Sequence, residues 1–378
     1  MLKKDIKYSY RDVTIVPAKV SEIEHRKDCN PFYPSGTLPL FTAPMDSVVG
    51  LENYELYEQH KIIPIIPRTV SLEQRLEVAK TGRWVAYSLD EFEKIFTVQN
   101  PGEGYKALID VANGHMKKLY TLVKKAKALN PNLTVMVGNI ANPETYEECC
   151  KAGVDYVRCG IGSGECCITS SATKIHFPLA SLISEIVEKK QSLQWSGSYK
   201  KFTKIIADGG VRGYSDAIVA LALGADYVMI GSVFSKMLES SGQIFFRYKD
   251  YEKENDWYPL NWDIYFNRYK SGKFYDFNEY WKGTSEIGDH WRPIELKKEI
   301  YGMASGKGQI AIGGKKTKTS EGIIKTIPIE YTMDSWTENF ISYLRSAMSY
   351  TGAKDLNTFI NKTTCIINSP LSVASVNA

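Results

Sequence analysis

Eight short apolar runs, each ending in a polar or glycine-bearing tail, recur between Leu38 and Ser235. They read LPLFTAPMDS, KIIPIIPRT, RWVAYSL, KALIDVANGH, LTVMVGNIAN, DYVRCGIGSG, KIIADGGV and DYVMIGSVFS. Between most of them lie amphipathic stretches of helical length, such as HMKKLYTLVKKAKALN, NPETYEECCKAG and GYSDAIVALALGA. The second of these opens on Asn142-Pro143, a helix start signal, and stops at Gly153. Near-continuous apolar strands alternating with helices indicate a parallel sheet covered by helices. Eight such units predict an α/β fold, a closed (β/α)8 TIM barrel, with its chemistry on the loops that follow the strands. A doubly wound sheet is the alternative, but no G-x-G-x-x-G opens a helix near the first run. The unusual residues sit on the polar tails: Asp46, Asp110, Asn113, Asn139, Gly160–Cys167, Asp208–Gly210 and Gly231-Ser232.

The regular pattern breaks after the eighth run. An excursion over about residues 243–297 carries fifteen aromatic residues between Ile244 and Trp281. It is too polar between its rings to enter a membrane. It predicts an ordered insertion, with its rings packed on the barrel rim, against a neighbouring subunit, or as a lid over the active site. A Gly/Lys-rich stretch at about 304–322 reads as a flexible flap, and MDSWTENFISYLRSAMSYTGAKDLNTFI as a closing helix. Residues 1–378 thus read as a single barrel domain bearing one insertion.

With 43% apolar residues the chain can bury a sizeable core, and a net charge of +4 is too mild for a nucleic-acid binder. No apolar run reaches the ~18–20 residues of a membrane span, and no apolar stretch follows the charged start as in a signal peptide. The seven cysteines are odd in number and lack C-x-x-C or Cys/His spacing. Neither a disulfide framework nor a zinc site is expected, and a cytoplasmic setting is.

Two tails suit an anion. Asp208-Gly209-Gly210 follows the seventh run and Gly231-Ser232 the eighth, where (β/α)8 barrels often hold a phosphate. Asp208 suits ribose hydroxyls rather than a phosphate.

With these come GIGSGECCIT, DGGVRGYSDAIVALALGADYVMIGSVFS, IYGMAS, SEG, YLRSAMSYTGAKDL, APMDSV and DVANGH. In this order they resemble the IMP dehydrogenase/GMP reductase family over nearly the whole chain apart from the aromatic excursion. The resemblance implies a (β/α)8 barrel, usually a homotetramer, acting on a purine nucleotide or nucleoside with no nucleic-acid or membrane partner. It implies that Cys167, not Cys166, is the nucleophile at purine C2, forming a covalent thioimidate. It also implies a monovalent cation, K+, in some members, for which Gly162, Gly164 and Cys167 would offer carbonyls.

Within the family the features point to the reductase. No regulatory insertion follows the second or third strand, and no Arg-Tyr pair lies between Ser305 and Glu321. The alternatives are an IMP dehydrogenase lacking its regulatory domain and a non-catalytic purine-binding homologue. The reductase resemblance implies conversion of GMP and NADPH, with NADH as an alternative, to IMP, ammonia and NADP+. Thr169 and Glu321 would assist loss of ammonia, and Arg68, Asp110 and Asn113 would face the cofactor. Asp208 would hold the ribose, Gly210, Gly231 and Ser232 the phosphate, and Met303, Lys318 and Ser320 would lie over the nucleotide. Lys318 stands where reductases generally use arginine, which turns a bidentate grip into a point charge.

The main departure is Glu165, where the family places a serine that donates to the substrate phosphate. A carboxylate ~4 Å from a phosphate oxygen repels it by about 4 kcal/mol at an effective dielectric near 20, roughly a thousandfold in affinity. Three arrangements resolve the conflict. Glu165 turns away, or a lysine from Lys307, Lys315, Lys316 or Lys318 neutralises it, or the substrate is a modified or non-phosphorylated purine.

Overall fold

In a computed structural model, residues 4–98, 101–199, 201–248, 257–259, 284–287, 290–313 and 320–369 are described. Strand β1 (Val13–Val16) stands outside the main sheet. The eight apolar runs then form β2 (Leu40–Thr42), β3 (Ile65–Ile66), β4 (Trp84–Tyr87), β5 (Lys106–Asp110), β6 (Thr134–Ile140), β7 (Tyr156–Cys159), β8 (Lys204–Asp208) and β9 (Tyr227–Ile230). All pair in parallel, in the order β2-β9-β8-β7-β6-β5-β4-β3. A parallel bridge between Phe41 and Ile63 joins the two ends. The result is the expected (β/α)8 barrel.

Side-chain parity explains why the runs read as almost continuously apolar. Successive strand residues face opposite sides, and here both sides are buried. Phe41, Trp84, Ala86, Leu108, Met136, Ile206, Tyr227 and Met229 fill the barrel interior. Their neighbours Leu40, Val85, Ala107, Ile109, Val135, Val137, Ile205 and Val228 pack outward under the helices. At the lower end, the ammonium of Lys204 lies over the rings of Tyr33, Tyr156 and Tyr227 at 5.3, 5.9 and 5.4 Å. This closes the barrel floor with cation–π contacts.

Beyond β9 the architecture changes to an antiparallel arm. It comprises β10 (Ile244–Tyr248), β11 (Tyr258–Pro259), β12 (Thr284–Ile287), β13 (His290–Tyr301) and β14 (Ile324–Pro328). The long strand β13 runs past residue 297 to Tyr301 and pairs with β10, β12 and β14. Most of the aromatic excursion, at 249–256 and 260–283, lies outside the described residues. The stretch 314–319, which includes Lys315, Lys316 and Lys318, lies outside them too. A helix at Met333–Tyr350 returns to the barrel, burying Trp336, Phe340, Leu344 and Met348. The last strand, β15 (Thr364–Ile367), pairs with β1. Among the described residues no helix is long and apolar enough to cross a membrane.

One buried lysine fastens the arm to the barrel. Lys298 on β13 is fully buried, and its ammonium donates to Ser240 O at 2.7 Å, Ser240 Oγ at 2.5 Å and Ser241 O at 2.6 Å. Three acceptors match the three N–H donors of an ammonium.

Candidate active site

The upper end of the barrel is polar where the lower end is aromatic. On β7 the inward positions are Tyr156 and Arg158, while Val157 and Cys159 face the helices. Arg158 is buried and bridges two carboxylates at the tips of neighbouring strands: Asp110 Oδ1 at 2.6 Å and Asp208 Oδ2 at 2.9 Å. Asn139 Nδ2 also donates to Asp208 Oδ2, at 2.7 Å. Gly138 makes this possible, because a Cβ there would stand 2.4 Å from Arg158 Cβ. Desolvation opposes the buried guanidinium, but the two carboxylates outweigh it and raise its pKa. Arg158 was not among the expected site residues. Its one signal is parity, a charged residue at an inward position of an otherwise apolar run.

Above this layer the cysteine loop leaves β7. Cys166 is buried in a small cluster with Ile300 of β13 and Ile327 of β14. Burial, chiefly, and Glu165 beside it push its thiol up to about 11. Cys167 points the other way and is partly exposed. Its Sγ lies 3.3 Å from Thr169 Oγ1, and the Thr169 hydroxyl donates to Glu321 Oε2 at 2.7 Å. Three residues expected to act together, 154 positions apart at the extremes, therefore form one hydrogen-bonded chain.

Backbone pairing builds that chain. Cys167 and Gly322 form an antiparallel bridge, Ile168 N donates to Glu321 O at 2.9 Å, and Ile323 N donates to Cys166 O at 2.9 Å. The cysteine loop thus becomes an edge strand of the arm sheet, next to the segment that continues into β14. A third pass joins them through Gly302 N, which donates to Ile323 O at 3.2 Å. Close backbone approach demands glycine at two points: a Cβ on Gly302 would lie 2.7 Å from Cys166 O, and one on Gly322 2.7 Å from Ser305 N.

The remaining expected residues surround this centre in differing states. Gly210 N donates to Ser163 O at 3.2 Å, so it ties the cysteine loop to the tail of β8. Gly231 precedes the short helix Ser232–Ser235, whose first N–H groups have no partner within a helix. Asp208 carries its bonds from Arg158 and Asn139 on Oδ2. Arg68 Nη1 donates to the Asp110 carbonyl at 3.1 Å, and Asn113 Oδ1 accepts from His115 N at 3.1 Å. Met303 lies beside Gly302 in the turn leading to the helix Gly306–Ala311. Ser320 Oγ donates to Gly322 O at 2.6 Å, which stiffens the turn that carries Glu321. The carbonyls of Gly162 and Gly164 accept from Ser170 Oγ at 2.8 Å and Cys167 N at 3.0 Å. No cluster of three or more metal-ligating side chains occurs among the described residues.

Two contacts were not anticipated. Lys325 on β14 places Nζ 3.7 Å from Glu165 Oε1. Lys307, one of the lysines considered for that role, instead pairs with Glu299 and lies over the Tyr301 ring at 4.8 Å. Asp46, in the loop after β2, accepts from the Tyr301 hydroxyl through Oδ2. Burial raises its pKa despite that bond.

Comparison with known proteins agrees with this geometry. Residues 85–257, from β4 to just beyond β10, match the model of the IMP dehydrogenase / GMP reductase domain. The GMP reductase of Vibrio atlanticus (strain LGP32) is 26% identical across 97% of this chain and 96% of its own length. Human GMP reductase 1 is 28% identical across 71% of this chain and 80% of its own. The inosine-5′-monophosphate dehydrogenase of Chlorobaculum parvum is 29% identical but matches 66% of this chain and 42% of its own. Over residues 85–257 the chain thus resembles the IMP dehydrogenase / GMP reductase domain, and along almost its whole length it is similar to GMP reductases.

Proposed function

We propose that the protein is a GMP reductase, converting GMP and NADPH to IMP, ammonia and NADP+. The observation that carries this reading is the chain Cys167 Sγ–Thr169 Oγ1–Glu321 Oε2. A cysteine that loses its proton along such a path becomes a nucleophile at neutral pH. The reductase branch is supported by relatives of that name that match the chain end to end.

In this reading the Cys167 thiolate adds to purine C2 and forms an S–C bond. Its proton passes through Thr169 to Glu321 and returns by the same path to the C2 amino group. Ammonia then leaves with the electron pair of the C–N bond. NADPH supplies a hydride to C2, and the S–C bond breaks to return the thiolate and IMP. Arg68, Asp110 and Asn113 line the neighbouring strand ends, and a guanidinium beside an exposed amide suits a dinucleotide's phosphates and carboxamide. Asp208 accepts from the ribose, and the helix start at Gly231-Ser232 faces the phosphate. Activity as a homotetramer belongs to the same reading and is measurable by light scattering.

The test is NADPH oxidation with GMP, accompanied by ammonia release, by wild type and Cys167→Ala. Equal amounts of both products from wild type and none from the variant are expected. Turnover of IMP with NAD+ and none of GMP would establish the dehydrogenase instead.

A further inference from the structure

The cysteine loop places a carboxylate beside its own anion-binding elements. Ser163 is tied to Gly210 by the bond from Gly210 N, and Gly164 N lies 3.5 Å from where a Cβ on Gly209 would stand. Glu165 is therefore the next residue after backbone that abuts the tail of β8, one of the two tails where barrels of this kind hold phosphate. The other charges nearby are balanced. Asp110 and Asp208 share Arg158, and Arg68 stands over the Asp110 carbonyl. Among the described residues Glu165 has one cation within ion-pair distance, Lys325, which belongs to β14 and not to the loop.

The register of the arm makes this pairing possible. Ile323 N bonds Cys166 O, and Lys325 follows two residues later at the start of β14. Pairing of Cys166 with the neighbouring strand thus delivers an ammonium to the residue just before it. From this we infer that Lys325 is a specificity-determining residue: it cancels the charge of Glu165 and so admits a 5′-phosphorylated purine to a loop that would otherwise repel it. The inference rests on the proposed reaction and adds to it the element that selects the 5′ end of the substrate. Glu165 and Lys325 act as one unit, in which either residue alone is worse for a phosphate than both together or a neutral pair.

The test is a double-mutant cycle on the full chain with Lys325→Met, Glu165→Ser and the two combined. Each protein is assayed with GMP and with guanosine, in the presence of NADPH, at low and high salt. Lys325→Met is expected to lower the preference for GMP over guanosine by about tenfold or more, less at high salt, since the pair is partly exposed. Adding Glu165→Ser to Lys325→Met is expected to restore the preference to within about threefold of wild type. An unchanged preference in Lys325→Met would overturn the inference. So would a tenfold gain in preference from Glu165→Ser alone, because Lys325 would then not be cancelling the charge. If wild type turns over no GMP, the proposed function fails. The same cycle, read by equilibrium binding of GMP and guanosine, still decides the role of the pair.

Discussion

The barrel and the arm meet at Cys167, the proposed nucleophile, and they are built on opposite principles. In the barrel each strand is buried on both faces, and helices separate neighbours in sequence. In the arm the strands run antiparallel and β13 serves three partners. Arg158 anchors the barrel's upper layer by holding two carboxylates. Lys298 anchors the arm by filling three acceptors on a barrel loop. Cys167 comes from the barrel, while Glu321 reaches it on the segment continuous with β14. The proposed catalytic geometry is thus a property of the seam, and damage to either side is expected to reach it by different routes.

The largest expected effect is at the seam itself. Cys167→Ala is expected to lower turnover by at least about a thousandfold, with the melting temperature nearly unchanged. Glu321→Gln, which keeps the size of the side chain but not its charge, should reduce turnover by about 10²–10⁴-fold. A milder loss would mean that the arm's contribution to proton transfer is small and the comparison overstated.

The barrel side is tested by Arg158→Met. Removing one partner from a buried ionic network costs about 3–5 kcal/mol, and here two carboxylates would be stranded. Chemical denaturation should show that loss for the whole protein. Gly322→Ala tests the arm side, because its Cβ would meet Ser305 N at 2.7 Å. Its expected cost is about 1–3 kcal/mol, with a disproportionate fall in turnover as Glu321 shifts away from Thr169. A barrel substitution that spares stability, or a seam substitution that spares turnover, would erase the distinction.

The last expected effect is a pH dependence. Burial pushes Lys298 down to about 7 from its ordinary 10.5, against the pull of Glu239 and Glu52. Between those values the unfolded chain holds a proton that the folded chain has released, so stability rises with pH. Melting curves should show wild type gaining on Lys298→Met from about pH 7 to pH 10, with a constant difference below that window. A difference that stays constant across it would mean that the three acceptors keep the ammonium charged in the fold.

How much of this was legible in the sequence follows the same division. All eight barrel strands could be read because burial on two faces leaves an apolar run with little interruption. The seam was partly readable, since GIGSGECCIT and SEG carry Cys167, Thr169 and Glu321 as local motifs. Arg158 escaped because its partners lie 48 and 50 residues away, and only inward parity marks it. Lys325 escaped for a related reason. Nothing near it in sequence relates it to Glu165, and the pairing depends on how the segment after the flap lies against the cysteine loop. Of the flap lysines expected there, Lys307 pairs with Glu299, and Lys315, Lys316 and Lys318 lie outside the described residues. Charges whose meaning depends on register are visible only once the strands are aligned.

The most direct test of the seam is to find the covalent bond it is built to make. Protein quenched in acid during turnover of GMP with NADPH should yield one peptide, the one containing Cys167, with a purine nucleotide attached. The adduct should be missing from Cys167→Ala and reduced in Glu321→Gln. Turnover without an adduct on Cys167, or an adduct on Cys166 in its place, would contradict the account.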